Sequence, residues 1–331
     1  MFKLFFLADL TKESTMTANL QHSPRLGEMR WLVPQGERRP ATESTLEARR
    51  KTPRVTPPEA LAGRNGYIPD FLGEFVVNWP QPRGTRMRDV YPINGSPDNR
   101  LDYTNFSVAM SKSRRIALCV GVNISGADSK KIERTADKWA YDGRLPNEAQ
   151  VGEDLYADNL LDRGHLVRRE DPNWGEDAET ANEDTFHFTN CSPQMAAFNQ
   201  KTWLSLEDYV LQNTRRWRER VTVFSGPVFR DDDRIYRGVA IPTAFWKVVA
   251  FLSDDGLPSA TAYMIDQSHE LSALEAAFGR FRTYQRSILR IEELTDLDFG
   301  ALSSYDGFSN EERATGTRIE SEVRSESDIR L

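Results

Sequence analysis

The chain has 331 residues, of which 39% are hydrophobic and 10% aromatic, enough for a well-packed core in one large domain or two smaller ones. Its two cysteines, Cys119 and Cys191, are too few for a disulfide framework, and no apolar stretch reaches the roughly 18 residues that span a bilayer. The formal net charge of −7 argues against broad electrostatic attraction to nucleic acid, so such binding would need a local basic surface.

Residues 1–66 have the composition of a flexible extension. They carry six prolines, eleven Lys or Arg and seven Asp or Glu, with no sustained hydrophobic periodicity. The apolar start of the chain is interrupted by Asp9 and Lys12 before it reaches the length of a signal-peptide core. We therefore expect a cytoplasmic protein, with secretion as the alternative.

From residue 67 onward, short apolar runs alternate with Gly, Pro and Asn, a pattern typical of strands and turns. The runs that predict strands are Phe106–Met110, Ile116–Val122, Val221–Ser225, Ala244–Leu252 and Ala260–Ile265. The last two predict a hairpin whose turn contains Asp254-Asp255-Gly256. The sequence therefore predicts an α+β fold, with a central antiparallel sheet flanked by helices.

Two later segments predict helices. Residues 199–220 lack Pro and Gly and place Trp203, Leu206 and Val210 near one face at helical spacing. A second helix is predicted over Glu270–Arg282. The residues from Ser309 onward are polar and charged, and we expect them to be an unstructured tail.

Three segments carry side chains suited to phosphodiester chemistry. They are Asp162-Arg163-Gly164-His165, Asn190-Cys191-Ser192-Pro193-Gln194 and the run from Phe198 to Glu207. Hydrolysis of a phosphodiester needs a deprotonated nucleophile, compensation for charge on the phosphoryl oxygens and a stabilised leaving group. One general base and one divalent cation can supply all three.

His165 is the predicted general base, because imidazole has an unperturbed pKa of about 6.5 and exchanges protons near neutrality. The chain has four histidines, of which His22 lies in the extension and His269 at the start of a predicted helix. His187 alternates with Phe186 and Phe188, which favours a buried structural residue. His165 is thus the candidate that remains.

The three segments, with their order and spacing, resemble the DNA/RNA non-specific endonuclease family, the ββα-metal nucleases that include endonuclease G. The resemblance covers about residues 67–308 and includes Tyr103-Thr104-Asn105-Phe106-Ser107. It implies a ββα-metal (His-Me finger) motif over about Asp162 to Asn213. It also divides the chain into an extension (1–66), a nuclease domain (67–308) and a polar tail (309–331).

The resemblance assigns catalytic and metal-binding roles to three residues. It makes His165 the base that activates water and Asn199 the single protein ligand of Mg²⁺, with Mn²⁺ as a substitute. Glu207 would orient metal-bound water. A neutral amide with water and phosphate oxygens suits Mg²⁺, although Asn199 also fits a helix N-cap and Glu207 a solvated helix position.

The resemblance also implies roles for an amide and for basic residues. Asn190 would help to shape the site, with a turn residue as the alternative. Arg163 would bind a phosphate oxygen or position the substrate. Arg114 or Arg115 would stabilise the phosphorane-like state, and on a strand only one of the two would point into the cleft.

The predicted activity is metal-dependent hydrolysis of DNA and RNA without sequence preference, and the resemblance implies 5′-phosphate products. The sequence contains no zinc finger, helix-turn-helix or homeodomain signature for reading base edges. One alternative is a catalytically silent nuclease-like domain that binds nucleic acid or a protein, and another is a phosphodiesterase of small nucleotides. We expect DNA and RNA as partners and no membrane. A homodimer and an inhibitor or activating protein are left open.

Overall fold

The computed structural model of the protein describes residues 54–133, 137–157, 161–195, 211–212, 214, 219–266 and 282–330. The named strands are β1 (Arg54–Thr56), β2 (Gln81–Pro82), β3 (Arg100–Tyr103), β4 (Phe106–Met110), β5 (Ala117–Ser125), β6 (Ala140–Asp142), β7 (Leu161–His165), β8 (Cys191–Met195), β9 (Arg220–Val228), β10 (Arg234–Tyr236), β11 (Val239–Ile241), β12 (Ala244–Leu252), β13 (Pro258–Asp266), β14 (Arg282–Arg286), β15 (Leu297–Asp298) and β16 (Glu320–Val323). The described α-helices are α1 (Arg86–Asp89), α2 (Glu153–Tyr156), α3 (Ala178–Asp184), α4 (Ile288–Thr295) and α5 (Gly307–Thr315). Short 3₁₀ turns lie among these elements.

The central feature is an eight-stranded sheet in the order β16-β14-β13-β12-β9-β5-β4-β3. Every neighbouring pair in this sheet is antiparallel. The predicted hairpin forms as β12 and β13, with Leu252 opposite Pro258 and Gly256 in the turn at φ +73°. The predicted α+β class and the central antiparallel sheet are confirmed.

The sheet is covered on both faces, which explains why its central strands are continuous apolar runs. All nine residues of β5 are buried. Along β12, Trp246 and Val248 belong to one hydrophobic cluster, whereas Phe245 and Val249 belong to a second cluster. Alternate side chains of the strand therefore enter opposite cores.

The folded chain begins earlier than residue 67, which corrects the predicted extension of 1–66. Strand β1 pairs in parallel with β6, so that Val55 lies opposite Tyr141. The Arg64 guanidinium binds the carboxylate of Asp184 at 2.9 Å. Local composition gave no sign of this order, because the partner strand lies far along the chain.

The C-terminal residues are also folded, which corrects the predicted polar tail of 309–331. Helix α5 is capped by the Asp306 carboxylate, which accepts hydrogen bonds from the backbone N–H groups of Phe308 and Ser309. Strand β16 extends the sheet beside β14, and Val323 and Ile329 are buried. The few apolar side chains in this polar stretch are enough to attach it to the core.

The two predicted helices lie mostly outside the described residues. Of the first, Leu211, Gln212 and Thr214 are helical, and Arg220 already begins β9. Of the second, Arg282 begins β14. Among the described residues, no helix is long and apolar enough to cross a membrane.

Candidate active site

The candidate site is built on a two-stranded antiparallel ribbon that joins two of the three sequence motifs. Strand β7 ends at His165, which lies opposite Cys191 at the start of β8. A Cβ atom at Gly164 would lie 2.1 Å from the buried side chain of Gln194. A side chain at position 164 would displace Gln194, so the bare backbone of glycine lets Gln194 lie buried over β7.

The His165 imidazole is half-buried against two aromatic rings. The Trp139 ring centroid lies 4.7 Å from that of His165 at an interplanar angle of 47°. The Phe186 ring approaches edge-on at 5.1 Å, and it also packs against Trp139. These contacts restrict the rotation of the imidazole and hold it at the end of β7.

Asn190 is fully buried and binds the backbone that follows His165. Its Oδ1 accepts from Val167 N–H at 2.9 Å, and its Nδ2 donates to the carbonyls of Val167 at 2.9 Å and Thr185 at 3.0 Å. Its own backbone carbonyl accepts from Leu166 N–H at 3.0 Å. Asn190 therefore fixes the chain next to the imidazole, and its role in shaping a catalytic site stays a prediction.

Arg163 lies two residues before His165, and its guanidinium forms an ion pair with Glu153 of α2. The Nε–Oε2 distance is 3.1 Å, and a second, shorter contact joins the same two groups. The guanidinium also lies over the Tyr156 ring, 5.6 Å from its centroid. The predicted phosphate contact of Arg163 would therefore compete with a carboxylate already in place.

Cys191 is a buried structural thiol. Burial raises the pKa of Cys191 to about 12, and the thiol contacts the hydroxyl of Tyr156 at 3.1 Å. The predicted burial of both cysteines is confirmed. Neither thiol has the exposure and low pKa that reactive cysteines need.

Arg114 and Arg115 occupy the turn between β4 and β5, not a strand. Arg114 forms an ion pair with buried Asp233 at 2.8 Å and lies over the Phe229 ring. Arg115 has a left-handed φ of +61°, and its guanidinium donates to the Gly238 carbonyl at 3.0 Å on the protein surface. Strand alternation therefore does not decide between them, and a catalytic role for either stays a prediction.

The family model of the DNA/RNA non-specific endonucleases matches residues 83–305, a range that contains all three motifs. The chain belongs to this family. The match starts within the folded region and ends before α5, so it covers the ribbon, most of the sheet and the segments around His165.

The curated relatives match this chain over only part of their own length. Protein y4fB of Sinorhizobium fredii, which is uncharacterized, is 38% identical over 306 residues, or 84% of this chain and 45% of its own length. Mitochondrial endonuclease G from Bos taurus and from Homo sapiens is 31% identical over 122 residues, 33% of this chain and 40% of the relative. The chain thus spans less than half the length of the curated relatives it matches.

A chain in the crystal structure of the EndoG/EndoGI complex is also similar to this chain. It has a TM-score of 0.49 and 20% sequence identity, over 62% of this chain and 86% of that chain.

The predicted metal ligand Asn199 and the predicted carboxylate Glu207 lie outside the described residues. Within the described ranges, no group of three or more His, Cys, Asp and Glu residues could hold a metal ion. A site with one amide ligand needs no such group, because water and phosphate oxygens complete the octahedral shell of Mg²⁺. Asn199 comes four residues after Met195, the end of β8, so the chemistry and chain position of this residue fit such a site.

His187 is buried, as predicted, and hydrogen bonds hold both of its ring nitrogens. Its Nδ1 lies 2.8 Å from the Asp184 carbonyl and its Nε2 lies 2.9 Å from the Thr56 hydroxyl. Burial lowers the pKa of His187, despite the opposing effect of the Asp184 carbonyl. His187 therefore connects β1 to the core as a neutral ring.

The sequence analysis missed three residues that contact the candidate site: Trp139, Glu153 and Phe186. Trp139 precedes β6, and an isolated parallel bridge between Ala140 and His187 brings it near Phe186. A half-buried Trp before a short strand has no local feature that indicates a catalytic neighbour. Only the tertiary pairing places it against His165.

Proposed function

We propose that this chain is a metal-dependent endonuclease that hydrolyses DNA and RNA without sequence preference. The family match over residues 83–305 carries this proposal, because it contains His165, Asn190 and Asn199 in the family's order. The ribbon of β7 and β8 supports it, since this pairing fixes His165 beside the segment that leads to Asn199.

His165 takes a proton from the attacking water in this proposal. A general base must be held within hydrogen-bond reach of the water and aligned with it. Packing of Trp139 and Phe186 against the ring limits its orientation, and three hydrogen bonds with Asn190 hold the backbone that follows it. His165 thus meets the requirement for a base whose position is set before the substrate arrives.

Asn199 would hold the Mg²⁺ ion, which supplies positive charge to the phosphoryl and leaving oxygens. Glu207 would orient water at that site, and Mn²⁺ would substitute. Arg163 would release the Glu153 carboxylate and bind a phosphate oxygen in its place. Protonation of the 3′ leaving oxygen would leave 5′-phosphate and 3′-hydroxyl ends.

The absence of sequence preference follows from where these side chains act. His165, Arg163 and Asn199 are assigned to the water, the phosphate and the metal, which are the same at every nucleotide. Phosphate contacts position a nucleic acid without reading its sequence. The proposed substrates are therefore both DNA and RNA.

The first test compares purified wild type and His165→Ala on supercoiled plasmid and on a structured RNA, with Mg²⁺ or with EDTA. We expect Mg²⁺-dependent cleavage of both by wild type, and a loss of at least 100-fold in rate in the variant, the usual size of acid-base catalysis. His22→Ala, a matched change outside the motifs, is expected to cleave like wild type.

Three outcomes would contradict parts of this proposal. If His165→Ala kept more than about a tenth of the wild-type rate, His165 would not be the general base, given the usual 10²- to 10⁴-fold effect. Cleavage of bis(p-nitrophenyl) phosphate without cleavage of plasmid or RNA would favour a small-nucleotide phosphodiesterase. Binding of nucleic acid without hydrolysis of any substrate would favour a silent domain.

A further inference from the structure

Lys247 is a buried cation in the middle of the sheet. It lies on β12 with 4% of its surface exposed, in a strand whose other eight residues are all apolar. Burying an ammonium group is costly unless its donors find partners. The Lys247 side chain therefore needs a structural or functional reason to be there.

Two hydrogen bonds show which parts of the molecule Lys247 connects. Its Nζ donates to the Ser225 hydroxyl at 3.0 Å, on the neighbouring strand β9. It also donates to the Leu166 carbonyl at 3.4 Å. Leu166 directly follows His165, so the ammonium group joins the central sheet to the backbone beside the candidate base.

The backbone after His165 is held at every polar group of two consecutive residues. Asn190 accepts from the N–H groups of Leu166 and Val167 and donates to the Val167 carbonyl. Lys247 supplies the fourth bond, to the Leu166 carbonyl. The side chains of Leu166 and Val167 are buried in the same cluster as Phe245, two residues before Lys247.

We propose that Lys247 is a positioning residue for His165, a role that rests on the proposed nuclease function. Asn190 by itself holds Leu166 and Val167 against neighbouring residues of the motif region. Lys247 anchors it to β12, which is rigidly paired on both sides. The imidazole is thereby fixed relative to the sheet, and a displacement of about 1 Å at a catalytic group can cost about 100-fold in rate.

The test replaces Lys247 with Met, which keeps the aliphatic length and removes the donors, and with Gln, which keeps a polar end. We expect kcat on plasmid DNA to fall about 10- to 100-fold with KM within about two-fold, because His165 is displaced and substrate contacts are kept. Thr261→Val is the matched control, since it removes a buried hydroxyl from the adjacent strand β13.

The second readout is the position of the imidazole itself. NMR of the full chain with labelled histidine gives ring signals for His165, assigned by their loss in His165→Ala. We expect these signals to shift from their wild-type positions in both Lys247 variants but not in Thr261→Val, with the His187 signals unmoved throughout. His187 serves as the internal control, because its ring nitrogens bind Asp184 and Thr56.

The two readouts separate this inference from the proposed function. Unmoved His165 signals in a folded Lys247 variant would overturn the positioning role, as would an equal fall of kcat in Thr261→Val. If wild type cleaves no nucleic acid and the His165 signals still shift, the positioning role stands and the nuclease proposal fails.

Discussion

Arg163 shares one side of β7 with His165, because side chains two residues apart in a strand point the same way. The two side chains nevertheless have different neighbours. Arg163 meets Glu153 and Tyr156, whereas His165 meets Trp139 and Phe186. The Glu153 carboxylate is therefore the group that an incoming phosphate must displace.

The competition between the Glu153 carboxylate and a phosphate for Arg163 predicts opposite effects on KM when Arg163 or Glu153 is replaced. Arg163→Ala should raise KM for plasmid DNA, because it removes a phosphate contact. Glu153→Gln should lower KM by up to about five-fold, since a partly exposed ion pair is worth at most about 1 kcal/mol. Steady-state kinetics at fixed ionic strength would measure both.

Glu293→Gln is the matched control for this prediction. It makes the same change of net charge at a partly exposed ion pair on α4, between Glu293 and Arg290. An equal fall of KM in that variant would show a general charge effect. An unchanged KM in Arg163→Ala would show that Arg163 does not contact the phosphate.

At the scale of elements, the turn between β4 and β5 separates the roles of two adjacent arginines. Arg114 faces inward to Asp233, whose pKa is raised by burial although the guanidinium opposes this shift. Arg115 adopts a left-handed conformation, which strains a residue with a side chain. Arg114 is therefore held by a buried carboxylate and Arg115 by a backbone carbonyl, and which of the two faces the phosphate stays a prediction.

The turn therefore predicts a contrast in stability. Arg114→Ala should lower the free energy of unfolding by about 3 kcal/mol, because it leaves the Asp233 carboxylate buried without its cation. Arg115→Gly should raise it by up to about 1 kcal/mol, since glycine adopts a positive φ without strain. Urea denaturation at neutral pH would measure both, and equal stabilities would contradict the assignment.

At the scale of the whole molecule, a buried polar network joins β3 to β6, and the His187 ring packs against Tyr103 of this network with ring centroids 5.1 Å apart. The Asp142 carboxylate of β6 accepts from Tyr103 of β3 and pairs with Arg144. Burial acts to raise the pKa of Asp142, but the bonds from Arg144 and Tyr103 outweigh it and lower that pKa. His187 adds β1 to this network through Thr56.

Neutral His187 predicts how stability depends on pH. Its pKa in the folded protein is lowered from the ordinary 6.5 by burial, so below about pH 6.5 the unfolded chain binds a proton that the folded chain does not. Stability is therefore lost as pH falls through this window. The loss from one such group is at most about 1.4 kcal/mol per pH unit.

His187→Gln isolates this contribution. The variant should be less stable than wild type at pH 7.5, because it loses the bonds to Thr56 and Asp184, and this deficit should shrink at pH 5.5. Urea denaturation of both proteins at the two pH values would measure it. Parallel losses of stability in the two proteins would show that His187 does not titrate on unfolding.

The sequence by itself determined the central strands and the identity of the motif residues. The runs Phe106–Met110 and Ala244–Leu252 are strands as predicted, because continuous apolar runs of this length are stable only when a sheet buries both of their faces. The motif of His165 was readable because its chemistry requires particular residue types at short spacing.

Tertiary structure alone decided which distant groups surround His165 and where the fold ends. Trp139, Glu153 and Lys247 reach the site through β6, α2 and β12, whose pairing and packing depend on contacts far apart along the chain. The order of β1 and β16 has the same origin, because each short polar strand is stable only beside its partner. Local composition indicates the secondary-structure propensity of a segment. These contacts depend in addition on whether a distant segment packs against it and buries it.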